Sequence, residues 1–116
     1  MDKQHALTAI PVQNREITTQ VSASGHIRIR YPVTVRPWIA KLVQRFKGSS
    51  PQMRFRKLEL DSIGTDVWRM IDGKRTVQEI IDEFAQFHQL PKAESESAIT
   101  QFLRDLGQRG LIGMRF

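Results

Sequence analysis

An α+β fold is the class this sequence predicts, and three observations predict it. Alternating apolar and polar residues mark the first part of the chain, and apolar residues at helical spacing mark the part after residue 60. Strands therefore come before helices instead of alternating with them, which excludes a parallel α/β sheet. The 116 residues suit one domain, and 40% apolar against 26% charged residues is an ordinary globular balance.

Residues 1–14 show no periodicity and are broken by Pro11, so a flexible N-terminus is expected there. From Arg15 to Ser22, Ile17 and Val21 alternate with polar residues around Thr19, a weak strand signal. Ala23-Ser24-Gly25 is turn-like, and His26–Val35 alternates more cleanly. Ile27, Ile29 and Tyr31 take one side and Arg28 and Arg30 the other, which predicts a hairpin with a basic outer face. Pro32 and Pro37 limit that strand. Between Pro37 and Lys47 the period changes: Trp38, Ile39, Leu42, Val43 and Phe46 fall at helical spacing opposite Lys41, Arg45 and Lys47. Pro37 suits a first helical position and Gly48 the position past the end. A third strand is expected over Arg54–Leu60, with room for a bulge because Phe55 has the opposite parity to Leu58 and Leu60.

Three helices follow. Asp61 or Ser62 can cap the first, whose stripe is Ile63, Val67, Trp68 and Ile71. Asp72-Gly73 ends it as a helix-helix turn. Thr76-Val77-Gln78-Glu79 is a capping box opening a helix with Val77, Ile80, Ile81, Phe84 and Phe87 inward. After the break at Gln89-Leu90-Pro91, a helix from about Lys92 to Arg109 turns Ala98, Ile99, Phe102, Leu103 and Leu106 inward. Gly110 terminates it, and Leu111-Ile112 can form a short closing strand. The outline is a winged helix-turn-helix: a small antiparallel N-terminal sheet plus a three-helix bundle. An extra amphipathic helix is inserted between the second and third strands.

Charge is concentrated. Residues 26–58 hold nine Lys/Arg and no acid, whereas residues 59–116 hold seven Lys/Arg against ten acids. Such a patch is either a solvated face or an attractant for an acidic peptide, nucleic acid or an anionic membrane. The chain has no cysteine, which excludes disulfides and thiolate chemistry and fits a cytoplasmic location. No apolar run approaches the ~20 residues of a membrane span. His5, His26 and His88 lie in separate segments without ligand spacing, so no metal is expected. Asp66, Glu79, Asp82 and Glu83 fit solvation and capping, and Gly64, Gly73 and Gly110 are isolated, so neither an acid/base pair nor a phosphate loop is present. The chain reads as non-catalytic and without a cofactor.

Leu58-Glu59-Leu60-Asp61, Gly64-Thr65, Val67-Trp68, Ile71-Asp72-Gly73, Thr76-Val77 and Glu79-Ile80 follow one another in an ordered set, as do Phe102-Leu103, Leu106 and Gly110-Leu111-Ile112. Over about residues 58–112 this set resembles the PqqD-type family. These are peptide chaperones of pyrroloquinoline quinone biosynthesis and the wider recognition elements of ribosomally made, modified peptides. The resemblance implies a single winged-helix-like domain over 15–116, with an insert at 37–51. It also implies a non-catalytic adaptor that captures a precursor (leader) peptide and presents it to a modifying enzyme, often a radical S-adenosylmethionine enzyme. In the family the leader adds as a strand beside the third strand, against the third helix. Carried onto this chain, those elements are Arg54–Leu60 and Ile99–Leu106, and the peptide-binding residues would be Arg54, Phe55, Arg56, Lys57, Leu58, Ile99 and Leu103.

Two features differ from the short family pattern. Asp61 stands where the family often has asparagine, and Pro37–Pro51 is inserted where short members connect two strands tightly. The insert can cover the peptide groove, enlarge it or contact something else. Two other functions compete. A winged helix with a basic middle invites DNA binding, but Glu94 and Glu96 at the start of the third helix would repel phosphates where a reading helix should sit, so no specific nucleic-acid partner is expected. The basic helix 37–47, with Trp38, could lie on a membrane surface or pack on the sheet. A monomer or weak dimer is expected.

Overall fold

In the computed structural model, which describes residues 3–32 and 55–116, short-range capping signals set the helix boundaries. The Asp61 carboxylate accepts from the Gly64 amide at 2.7 Å and starts α2 (Ser62–Met70). Thr76 and Glu79 form both halves of the capping box that starts α3 (Val77–His88). That helix stops at Gln89, whose φ of 53° is left-handed. Helix α4 (Lys92–Gln108) follows Pro91, and Gly110, at φ 77°, lets the chain leave it. A five-residue helix α1 (Lys3–Leu7) lies at the N-terminus.

The strands make two small antiparallel sheets. Strands β2 (Thr18–Val21), β3 (Ile27–Pro32) and β4 (Phe55–Glu59) form one in that spatial order. Strands β1 (Ile10–Gln13) and β5 (Ile112–Arg115) form the other. Strands and helices are thus segregated, as the α+β reading expects. The β3–β4 register runs unbroken from Arg28–Glu59 to Pro32–Phe55. The parity of Phe55 therefore needs no bulge: Phe55, Lys57 and Glu59 share the outer face with Arg28 and Arg30. The expected insert helix 37–47, and Arg54, lie outside the described residues.

The N-terminus is a correction. Residues 1–14 read as flexible, yet Lys3–Leu7 is helical and Ile10–Gln13 pairs with β5. Ala9 and Pro11 are buried, and the Ala9 carbonyl accepts from the Val77 amide at 2.9 Å. Pro11 is tolerated because β1 belongs to a two-stranded ribbon in which one edge needs no amide donor. Gln13 turns its side-chain amide onto the Ile71 carbonyl at 3.0 Å, satisfying a helix end from a distant strand. These links are long-range, and no local pattern announces them.

One buried cluster joins sheet and helices. It includes Ile29 and Tyr31 from β3, Trp68 and Ile71, Ile80 and Phe84 from α3, and Ile99, Leu103 and Leu106 from α4. Phe102 is only half-buried. Three residues expected inside are not: Ile63 is 50% exposed, Phe87 is 71% exposed, and Ala98 is exposed. Each lies at the flank of its helix's buried arc, where a stripe drawn from sequence is one position too wide. The converse error is Ser95, which is fully buried and donates to the Ile81 carbonyl at 2.6 Å, tying α4 to α3.

Asp72 holds the α2–α3 turn. Its Oδ1 accepts from the amides of Lys74 and Arg75, at 2.9 and 3.1 Å, and its Oδ2 meets the Arg75 guanidinium at 2.8 Å. The Lys74 amide has the largest effect and holds the carboxyl below its ordinary pKa; burial opposes it, and the amide and charge of Arg75 add to the lowering. A depressed folded-state pKa stabilises the fold above the unfolded value, and that share is lost as pH falls through the lowered one.

Thr65, on the buried side of α2, accepts a hydrogen bond from the Ile27 amide at 3.0 Å. Thr65→Val keeps the shape and removes the acceptor, leaving a buried amide unsatisfied. Urea unfolding should show a loss of ~1–3 kcal/mol. A change under about 0.5 kcal/mol, the range of an ordinary surface substitution, would mean that this bond does not hold the sheet to the helices.

Candidate functional site

Strand β4 is the edge that faces the helices. The Leu60 amide donates to the Ile27 carbonyl at 2.8 Å. Backbone groups alternate sides along a strand, so Leu58 and Arg56 also turn theirs toward β3. Phe55, Lys57 and Glu59 then point their amides and carbonyls away from it, and among the described residues no strand pairs with that side. An unpaired row of this kind is a template for another extended chain.

The C-terminal end of this edge opens onto a cavity of about 310 Å³. Leu60, Val67, Phe84 and Ile99 give it an apolar floor, and Ile63, Ala98 and Phe102 form its walls. Gly64 keeps it open: a Cβ there would lie 3.2 Å from Asp61 Oδ1 and 3.4 Å from the Phe102 ring. The rim carries Glu59 and Asp61, while Lys57 stands two residues back along the strand. Glu59 also lies 3.7 Å from the Arg28 guanidinium on the outer face, a half-exposed and weak pair.

The residues expected to bind peptide do not all gather here. Ile99 lies on the cavity floor, 1% exposed. Lys57 is on the free edge, and Leu58 is half-buried against the core. Arg56 pairs with Tyr31 on the inward-bonded side of β4. Phe55 sits on the outer face beneath the Arg30 guanidinium, 4.3 Å from its ring centre, a cation–π contact. Leu103 is buried and borders a different, larger cavity on the opposite side of α4. Arg54 lies outside the described residues. Sequence reasoning missed Gly64, read as punctuation, and Ile63, Ala98 and Phe102, read as core.

Among the described residues no group of three His, Cys, Asp or Glu side chains could hold a metal ion. His88 packs against Phe84 and Phe87, at 4.4 and 5.0 Å between ring centres. Among the described residues no helix is long and apolar enough to cross a membrane.

A family model described as Coenzyme PQQ synthesis protein D (PqqD) matches residues 53–112, more than half of the chain. The chain belongs to this family. The PqqD match begins beside β4, contains α2, α3 and α4, and so encloses the free edge and every residue of the cavity beside it. A PqqA binding protein of Rhodopseudomonas palustris (strain BisB5) is 25% identical over 87 residues, covering 75% of this chain and 74% of that protein. No solved structure matches the chain.

Proposed function

We propose that this chain is a non-catalytic adaptor that captures a precursor (leader) peptide by strand addition along β4 and presents it to a modifying enzyme. The observation that carries the reading is the free edge of β4 ending at an apolar cavity. A peptide laid on Phe55, Lys57 and Glu59 gains backbone hydrogen bonds irrespective of its sequence, and the cavity selects a side chain. At about 310 Å³ the cavity suits one large aliphatic or aromatic side chain. Charge refines the match: acidic residues of the peptide are favoured beside Lys57 and Arg56 and disfavoured at the Glu59–Asp61 rim. The naming of the Rhodopseudomonas relative for PqqA binding supports a peptide partner of that kind. The enzyme that receives the peptide is of the radical S-adenosylmethionine type or another peptide-modifying class. The helices and sheets serve as a winged-helix-like frame for this edge.

Proline substitution separates the two sides of β4. In Lys57→Pro the lost amide faces the free edge, so the domain stays folded, whereas Arg56→Pro removes a bond to β3 and destabilises it. Ala98→Trp fills the cavity mouth from an exposed position, with little effect on stability. With a labelled PqqA-type precursor peptide, both Lys57→Pro and Ala98→Trp should bind at least about tenfold more weakly than wild type, the cost of roughly 1.4 kcal/mol. Folded variants that bind as wild type does would remove strand addition at this edge from consideration.

A further inference from the structure

The outer face of the three-stranded sheet carries charge that the fold leaves unbalanced. Strand register sets its rows: Thr18, Arg30 and Lys57 lie side by side in one, and Gln20, Arg28 and Glu59 in the next. The second row balances itself, because Glu59 stands opposite Arg28. The first does not. Arg30 and Lys57 are directly opposed cations, an arrangement that costs a sheet stability. Among the described residues neither side chain makes an ion pair or a hydrogen bond. The sequence from His26 to Leu58 contains no Asp or Glu, so the chain that joins β3 to β4 has no carboxylate to offer this row.

The unbalanced row ends at Lys57, on the free edge of β4. Its next place belongs to whichever residue of an added strand lies opposite Lys57. Side chains alternate along a strand, so that one position fixes the face of every other. Residues opposite Lys57 and Glu59 point to the outer face. The residue opposite Leu60 points inward, where Leu60 lines the apolar cavity. Lys57 and Leu60 are three residues apart, and so are the two positions that face them, whichever way the added strand runs. Arg30 also reaches this place. Its guanidinium lies 4.3 Å over the ring of Phe55, across on β4 and two residues from Lys57.

We infer that the peptide taken by this edge carries an acidic and a large apolar side chain three residues apart, the acid completing the Arg30–Lys57 row and the apolar group entering the cavity. This rests on the strand-addition reading of β4 and adds to it a sequence requirement on the ligand. Arg30, on the strand behind the edge, becomes a specificity-determining residue. The peptide residue opposite Glu59, between the two anchors, is neutral or basic, because an acid there would meet the Glu59 carboxylate. An even separation fails for a geometric reason: it puts both anchors on one face, so that satisfying the cations leaves the cavity empty.

Double-mutant cycles with a labelled PqqA-type precursor peptide test it, with circular dichroism to establish that each variant is folded. Each acid of the peptide is changed in turn to its amide, and binding is measured to wild type, Arg30→Gln and Lys57→Gln. One acid should matter, weakening binding to wild type roughly fivefold, and its effect should vanish in both variants. Changing that acid to Lys should weaken binding to wild type and be rescued by Arg30→Glu. Each large apolar residue of the peptide is likewise changed to Ala, and the anchor is the one whose effect vanishes in Ala98→Trp. It should lie three residues from the coupled acid. A peptide that loses binding in Lys57→Pro, yet has no acid coupled to Arg30 and Lys57, overturns the inference and leaves strand addition standing. A coupled acid two or four residues from the anchor overturns it as well. A precursor that does not bind at all removes both.

Discussion

Two hydrogen bonds from one residue hold the working part of this molecule together. The Ile27 amide donates to the Thr65 hydroxyl on α2, and the Ile27 carbonyl accepts from the Leu60 amide at the end of β4. The first bond docks the three-stranded sheet on the helices. The second fixes which backbone groups of β4 face β3 and which face outward. Leu60 is 5% exposed, so a shift by one residue would put Asp61 where Leu60 packs and turn the other set of amides to the free edge. Buried apolar contacts then make that register the one the chain adopts, and which backbone groups of β4 face outward is a consequence of it.

Helix α4 is the second shared part. Its buried stripe of Ser95, Ile99, Leu103 and Leu106 packs on the core, and its two flanks border two different cavities. Ala98 and Phe102 face the cavity beside β4, while Ala93, Ser97 and Arg104 face the larger groove. One rigid helix thus presents two surfaces without either intruding on the other. Arg109 adds a tie at its C-terminal end, donating to the Tyr31 hydroxyl at 3.1 Å and holding β3 against the helix.

Local chemistry made much of this legible in the sequence. The Thr76–Glu79 capping box, the Asp72-Gly73 turn, the Gln89 break and Gly110 are short-range signals, and each marks the boundary it predicts. The alternation of Ile27, Ile29 and Tyr31 identifies β3 and its buried face for the same reason. The errors share a different cause. Strand β1 exists only because β5 pairs with it, and Ala9 is buried only because α3 lies against it. Ile63, Ala98 and Phe87 sit at the margins of apolar stripes, where periodicity cannot separate a core residue from a cavity wall. Thr65 and Ser95 look like ordinary helix polars until their distant backbone partners are in place.

Amide hydrogen exchange of β4, followed by NMR with and without a PqqA-type precursor peptide, tests the central claim most directly. Strand addition predicts an alternating response. The amides of Phe55, Lys57 and Glu59 become protected on binding, while those of Arg56 and Leu58, already bonded to β3, change little. Uniform protection across β4, or protection confined to α1 and the outer flank of α4, would contradict the account.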